Sequence, residues 1–305
     1  MYLDYYGLKE PPFALTPDPR FIYFTPSHKE VMANLHYGIE HGKGLIVVTG
    51  EVGTGKTTIL RWMLNRLERT VLVAYLFNPY LTVPEFYQQV TKMLNIQNWD
   101  AKSDLLMTLG RTLEIRQAKG LRTLLIIDEA QGLNPFVLEE IRLLLNFESD
   151  TAKYLQVVLC GQPELRALLN DQKLRQLKQR IALRCQIMPL PNIQETENYI
   201  MERLMIAGCE QPAIFSPEAI TSIFRVTEGI PRIINNLCDN ALLSGYKVDL
   251  PIIGRRIIED VADKFDMRPT NFYSTPVVET PTMITVESPS KQMQIWSADD
   301  DRMVN

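Results

Sequence analysis

Apolar positions along this chain follow two periods, and their alternation sets the architecture. Short continuous runs of aliphatic and β-branched residues at 45–48, 71–77, 124–127, 155–159 and 182–188 have the length and composition of strands. Between them apolar residues recur at three- and four-residue spacing: Val31, Leu35 and Ile39 after Ser27, then Ile59, Met63 and Leu67, then Val137, Ile141 and Leu144 after Asn134-Pro135. These are helical stripes, with the Asn-Pro pair as a start signal. Pro84 opens a further helix reaching about residue 94. After a polar linker at 95–103, another runs to about 118. Strands without polar alternation are covered on both faces. The pattern predicts an α/β fold: a parallel sheet with right-handed helical crossovers over residues 27–190.

On either side of this core the pattern changes. Residues 1–26 combine Pro11, Pro12, Pro17, Pro19 and Pro26 with Phe13, Phe21, Tyr23 and Phe24. That composition precludes a long helix and predicts an extended arm packed by its own aromatic rings. From 191 to 265 only helical periodicity remains, punctuated by Pro and Gly, which predicts a small all-helical lid. Residues 266–305 are rich in Ser, Thr and Pro and end near Asp299-Asp300-Asp301, the composition of a disordered tail. Ile295-Trp296 within it has the form of a short docking peptide, although a tail of this composition is more often without function.

The chemistry enters at 45–58. A strand-like run leads into Gly50-Glu51-Val52-Gly53-Thr54-Gly55-Lys56-Thr57-Thr58, and a helical stripe follows. The order strand, G-x-x-x-x-G-K-[ST], helix is a phosphate-binding device. The glycines let successive backbone N–H groups converge on one anion, and the helix N-terminus adds its partial positive charge. Lys56 reaches the β- and γ-phosphates and the Thr57 hydroxyl takes Mg²⁺. Leu124-Leu125-Ile126-Ile127-Asp128-Glu129 supplies a second half. A carboxylate closing the adjacent strand lies beside the phosphate loop at the carboxyl edge. Asp128 is expected to hold the Mg²⁺ shell through water and Glu129 to polarise the attacking water.

Composition narrows the class. With 305 residues, 46% hydrophobic and 22% charged, the chain has the make-up of a soluble globular protein, and a net charge of −4 exerts no bulk pull on nucleic acid. A local row, Arg111, Arg116, Lys119 and Arg122, could track duplex phosphates, although a solvated helix face is the commoner cause of such a row. Cys160, Cys185, Cys209 and Cys238 form no C-x-x-C pair and read as buried free thiols of a reducing cytosol. His28, His36 and His41 read as residues of a helix surface. No apolar run approaches about 18 residues and no leader precedes the arm, so the expectation is a cytoplasmic chain with no integral membrane segment.

Phosphate loop, Asp-Glu, a polar residue closing the next strand, an arginine-bearing helix and a helical lid together resemble an AAA+ ATPase. Tyr5-Tyr6-Gly7-Leu8, Pro12-Phe13, Pro17-Asp18-Pro19, Asp128-Glu129-Ala130-Gln131 and Gly161-Gln162-Pro163-Glu164-Leu165 resemble, more narrowly, the ExeA branch of general secretion pathway ATPases. That branch is related to transposition regulators of the TnsC type. The resemblance covers about residues 1–265. It implies that Gln162 orients the lytic water and that Arg232, in Gly229-Ile230-Pro231-Arg232, meets the nucleotide phosphates. It implies an arginine finger in the segment of Arg180, with Arg175 and Arg184 as competitors, and that Phe13 and the 21–24 cluster cover the adenine of ATP. ExeA proteins also carry a transmembrane helix and a wall-binding region, and here the predicted tail stands in their place. The expected function is an oligomeric ATPase, ring or filament, that assembles or remodels an unidentified protein partner in secretion or export. The alternative is a TnsC-like regulator that polymerises on double-stranded DNA. A nucleotide-gated scaffold and a metabolic kinase are weaker readings, because the first leaves Asp128 and Glu129 without a task and the second leaves the lid and finger segments unexplained.

Overall fold

Local capping signals set where the helices begin in the computed structural model, which describes residues 2–16, 18–96, 101–210 and 212–267. The predicted tail from 268 onward, the docking peptide within it and Pro17 of the arm lie outside the described residues. A single turn, α1 (Tyr2–Tyr5), opens the arm. Thr25 caps α2 (Pro26–Glu40), its hydroxyl accepting the His28 N–H. β1 (Leu45–Gly50) leads through the glycine loop into α3 (Lys56–Leu64), and β2 (Val71–Leu76) follows. Thr82 and Glu85 form a reciprocal box at the start of α4 (Val83–Met93). Then come α5 (Lys102–Ala118), β3 (Arg122–Ile127) and α6 (Pro135–Leu144), which Asn134 caps. β4 (Gln156–Gly161), α7 (Pro163–Leu169), α8 (Arg175–Gln179) and β5 (Ile181–Ile187) complete the core. The lid holds α9 (Ile193–Ile206), α10 (Pro217–Thr227), α11 (Pro231–Lys247) and α12 (Arg255–Lys264).

The five strands are parallel, in the order β2-β3-β4-β1-β5. Every residue of β4 is buried. The two-residue period splits each central strand between two cores. Leu45, Val47, Leu125, Ile127, Val157 and Leu159 face the side covered by α4, α5 and α6. Ile46, Val48, Leu124, Ile126, Val158 and Cys160 face α2 and α3. One expectation needs correction. β3 is not adjacent to β1; β4 runs between them. Strand order is a long-range property that no local run of residues encodes.

The arm is part of the lid and not a body of its own. Tyr6, Leu8, Phe13 and Phe21 are buried among Ile200, Leu204, Ile223, Ile234 and Leu237. Arg203 of α9, only 7% exposed, locks the arrangement. Its Nε donates to Pro12 O at 2.7 Å and its Nη1 to Phe21 O at 3.2 Å, with the Phe21 ring centroid 4.8 Å away. At the turn into α11, Gly229 has φ +73°, and a Cβ there would stand 2.2 Å from Leu190 O. Only glycine lets the lid turn sit this close to the end of the core.

One member of the basic row has partners within the chain. Arg116 Nε donates to Thr123 Oγ1 and its Nη2 to Arg122 O, both at 3.0 Å, so this side chain pins α5 to β3.

Removing a buried charged donor that serves two buried carbonyls leaves both without it, at a cost of about 3 kcal/mol. Arg203→Met is therefore expected to lower the thermal midpoint by several degrees while leaving the sheet intact. A melting curve that superimposes on the wild type would show that the arm is not held this way.

Candidate nucleotide site

β1 is buried at nearly every position and ends at Gly50, where the chain must reverse into α3 without side chains in the way. Gly53 and Gly55 take φ of +84° and +97°, the left-handed region that L-residues avoid. At Gly53 a second reason applies: a Cβ would lie 2.5 Å from Arg232 Cβ. The lid thus abuts the loop, and the Arg232 N–H, one of the free donors at the start of α11, bonds Gly53 O at 3.2 Å. Lys56 is buried, and its Nζ donates to Gly50 O at 2.9 Å and Glu51 O at 3.0 Å. His28 corrects another expectation. It is only 6% exposed, not on a helix surface, and its Nε2 lies 3.1 Å from Thr54 O.

Asp128 directly follows β3, which lies two strand spacings from β1, roughly 9–10 Å across the sheet. Thr57 nevertheless reaches it, Oγ1 donating to Asp128 Oδ2 at 2.8 Å. Tyr75 OH donates to the same oxygen at 2.9 Å, and the Glu129 N–H takes Oδ1 at 3.0 Å. Burial pushes the Tyr75 phenol far up, and the Asp128 charge beside it adds to the shift, so Tyr75 stays a donor. A hydroxyl and a carboxylate are the hard oxygen donors that Mg²⁺ takes, so this pair fits the predicted metal.

Glu129 sits at φ 52°, a left-handed position, which turns its side chain out of the strand line. Gln131 Nε2 donates to Glu129 Oε2 at 2.6 Å, and Gln162 Nε2 donates to the same oxygen at 3.0 Å. Gln131 Oε1 in turn accepts the Gln162 N–H at 3.0 Å, closing a small network. Burial alone would raise the Glu129 carboxyl. The two amides and the Lys56 charge outweigh it, and the net shift is downward. The group is a carboxylate at neutral pH.

These groups share a cleft of 390 Å³ walled by the loop from Val52 to Thr58, Glu129, Arg232, and Leu15, Ile22 and Tyr23 of the arm. Gly50, Glu51, Asp128 and Gln162 do not line it and are joined to residues that do by the contacts above. Phe13 does not line it. Its ring is 1% exposed and meets Phe215 edge-on at 6.2 Å in the lid core, whereas its arm neighbours Leu15, Ile22 and Tyr23 line the cleft. None of Arg175, Arg180 and Arg184 lines the cleft. Arg180 precedes β5, whose Ile181 is in register with Leu45 while Ile187 is in register with Gly50. It therefore stands at the opposite edge of the sheet, about 20 Å away along the strand. There it donates to Leu145 O at 3.2 Å and Asn146 Oδ1 at 2.5 Å. A larger cavity, 570 Å³, opens at that far edge among Arg122, Asp150 and Lys153, and it contains none of the phosphate-loop groups. Three participants had no assigned role in the sequence reading: His28, Tyr75 and Gln131. The signals were slight: Gln131 lies two residues past Glu129, and Tyr75 stands opposite Ile126, two residues before Asp128.

Residues 39–169 match the family model described as AAA domain. Over 248 residues the chain is 44% identical to general secretion pathway protein A of Aeromonas hydrophila, a match covering 81% of this chain and 45% of that protein. The chain thus spans less than half the length of this relative. Among solved structures, Cdc6p from Pyrobaculum aerophilum superimposes with a TM-score of 0.63 at 16% identity, covering 83% of this chain and 70% of that one. The ORC2 protein of Aeropyrum pernix gives 0.59 at 14%, covering 84% and 72%. At these identities the likeness is one of fold.

The glutamine network makes a measurable claim about Glu129. A carboxyl whose folded pKa is lowered stabilises the fold above its unfolded pKa, and that contribution is lost as pH falls through the lowered value. In a ¹³C titration the Glu129 carboxyl is expected to protonate below the ordinary glutamate range. Gln131→Leu should move the midpoint upward, and Gln131→Leu with Gln162→Leu further. An unmoved midpoint in the double variant would show that the amides do not set the charge.

Proposed function

The chain belongs to the AAA+ family and is a relative of general secretion pathway protein A over the matched residues, and from that premise we propose that it is an oligomeric, magnesium-dependent ATPase. Its work is to assemble or remodel a protein complex in secretion or export. The observation that carries the proposal is the setting of Glu129. Both glutamine amides bond Oε2, and we assign Oε1 to the attacking water as proton acceptor. Lys56 meets the β- and γ-phosphates, and Arg232 meets them from the lid. Magnesium, when bound, neutralises charge on the phosphate oxygens, and Thr57 and Asp128 would hold it. That the Aeropyrum pernix relative was solved in ADPNP–ADP complexes supports an adenine nucleotide as ligand.

The position of Arg180 supports a site shared between subunits. A side chain at the far edge of the sheet is out of reach of its own nucleotide site, and to serve another copy's it would have to leave its bonds to Leu145 and Asn146. The duplex-DNA alternative retains Arg111 and Lys119 as exposed cations, but Arg116 is already engaged, so it stands behind. The gated scaffold stands behind as well, since the network holds Glu129 ionised in place.

Lys56→Ala is expected to abolish ATP binding, whereas Glu129→Gln keeps binding and stops hydrolysis. Equal loss of affinity in both would contradict the division of roles. Arg180→Ala should bind ATP and lose about 10³–10⁵ in turnover, the usual worth of such a cation. Each dead variant keeps the group the other lacks, so mixing Arg180→Ala with Glu129→Gln should restore phosphate release at mixed interfaces. Silence despite proven subunit exchange would rule out a shared site, and full activity of Arg180→Ala alone would point to Arg175 or Arg184. Binding to duplex DNA with ATP that falls steeply with salt, and weakens in Arg111→Ala, would reverse the ranking of the two readings.

A further inference from the structure

We propose that His28 is a positioning residue of the phosphate loop: by holding the Thr54 carbonyl it turns the Gly55 N–H toward the bound phosphates. The proposal rests on the nucleotide reading above and assigns a side chain from outside the loop to that site.

In a planar trans peptide the carbonyl and the following N–H point in opposite directions. Whatever holds Thr54 O on one side therefore aims the Gly55 N–H at the other. Gly55 has φ +97°, where the backbone has little steric preference of its own, so this peptide can flip at small cost. Thr54 is wholly buried, which leaves its carbonyl no water to turn to. The His28 Nε2 is the group that meets it, at 3.1 Å.

The other ring nitrogen settles the direction of that bond. Nδ1 lies 3.3 Å from the Thr25 N–H and 3.0 Å from Tyr23 O. A neutral ring with its proton on Nε2 accepts from Thr25 and donates to Thr54. A doubly protonated ring donates to Tyr23 O and to Thr54 O. The first leaves Tyr23 O facing a lone pair and the second leaves the Thr25 N–H facing a proton, one mismatch each; the neutral Nδ1–H form has two, a proton against the Thr25 N–H and the Nε2 lone pair against Thr54 O, and is the least favoured. In the other two forms Nε2 is the donor. Burial lowers the ring's pKa against the pull of the two carbonyls, which favours the neutral form at pH 7. Tyr23 lines the same cleft, so one ring ties the arm, the start of α2 and the loop together.

Amide substitutions separate the two ends of the ring. Gln places its amide nitrogen near the place of Nε2, and Asn places its side-chain polar atoms near Nδ1. Both are made in the full chain and tested with two probes: ATP, and inorganic tripolyphosphate, which has no base for the arm to meet. His28→Asn is expected to keep the cap of α2 and to weaken both probes about tenfold, the worth of one hydrogen bond to a charged group. His28→Gln should bind both within about twofold of wild type. Weakened ATP with unchanged tripolyphosphate would place the effect in the arm and overturn the proposal, as would wild-type affinity in His28→Asn or a Gln variant no better than Asn. If His28→Asn does not fold, the ¹⁵N spectrum of the wild-type ring decides: a slowly exchanging Nε2–H is expected, and an Nδ1–H tautomer overturns the assignment. Wild-type protein that binds neither probe would remove the nucleotide reading itself, an outcome distinct from all of these.

Discussion

A backbone loop that offers its N–H groups to one anion must find other partners for its carbonyls, and this requirement reaches every part of the site. The carbonyls of Gly50 and Glu51 go to the Lys56 ammonium, Gly53 O to the first turn of α11, and Thr54 O to His28. Three separate stretches of chain therefore meet at one loop. An unpaired buried carbonyl costs on the order of 1–3 kcal/mol, so each donor helps to hold the loop in its curled form. The glycines permit that conformation, and the donors around it select it.

The same bonds tie the lid and arm to the phosphate loop. The lid touches it through Arg232, and the arm touches it through the ring of His28. Arm and lid are in turn joined by Arg203 and a shared apolar core. A buried cation with good geometry on two backbone carbonyls is a specific lock, since few other groups could satisfy both. Movement of the lid on the core would have to carry the arm with it or break that lock.

How much of this could be read from residues alone depended on range. The phosphate loop, Asp128-Glu129 and the strand–helix alternation are local signals, and each element appears within a few residues of its predicted place. The order of the strands is not local, which is why β4 between β1 and β3 was missed. Phe13 and His28 were misplaced for a related reason. An aromatic beside prolines and a histidine on an apolar helix face carry no mark of what they will meet, and one went to the lid core and the other to the loop. Arg116 looked like a free cation because its partners, Thr123 and a backbone carbonyl, lie beyond the turn that follows its helix.

The interposed strand has a consequence for spacing. Loop, Gln162 and Glu129 stand at the ends of β1, β4 and β3, three neighbours in one sheet. Their lateral separations are therefore multiples of a strand interval of about 4.8 Å, a gauge fixed by hydrogen bonding and not by loop length. Connections such as the one from β2 to α4 can lengthen, shorten or change composition without disturbing it. A fold that keeps its working distances in the sheet leaves its surface loops free to diverge toward new partners.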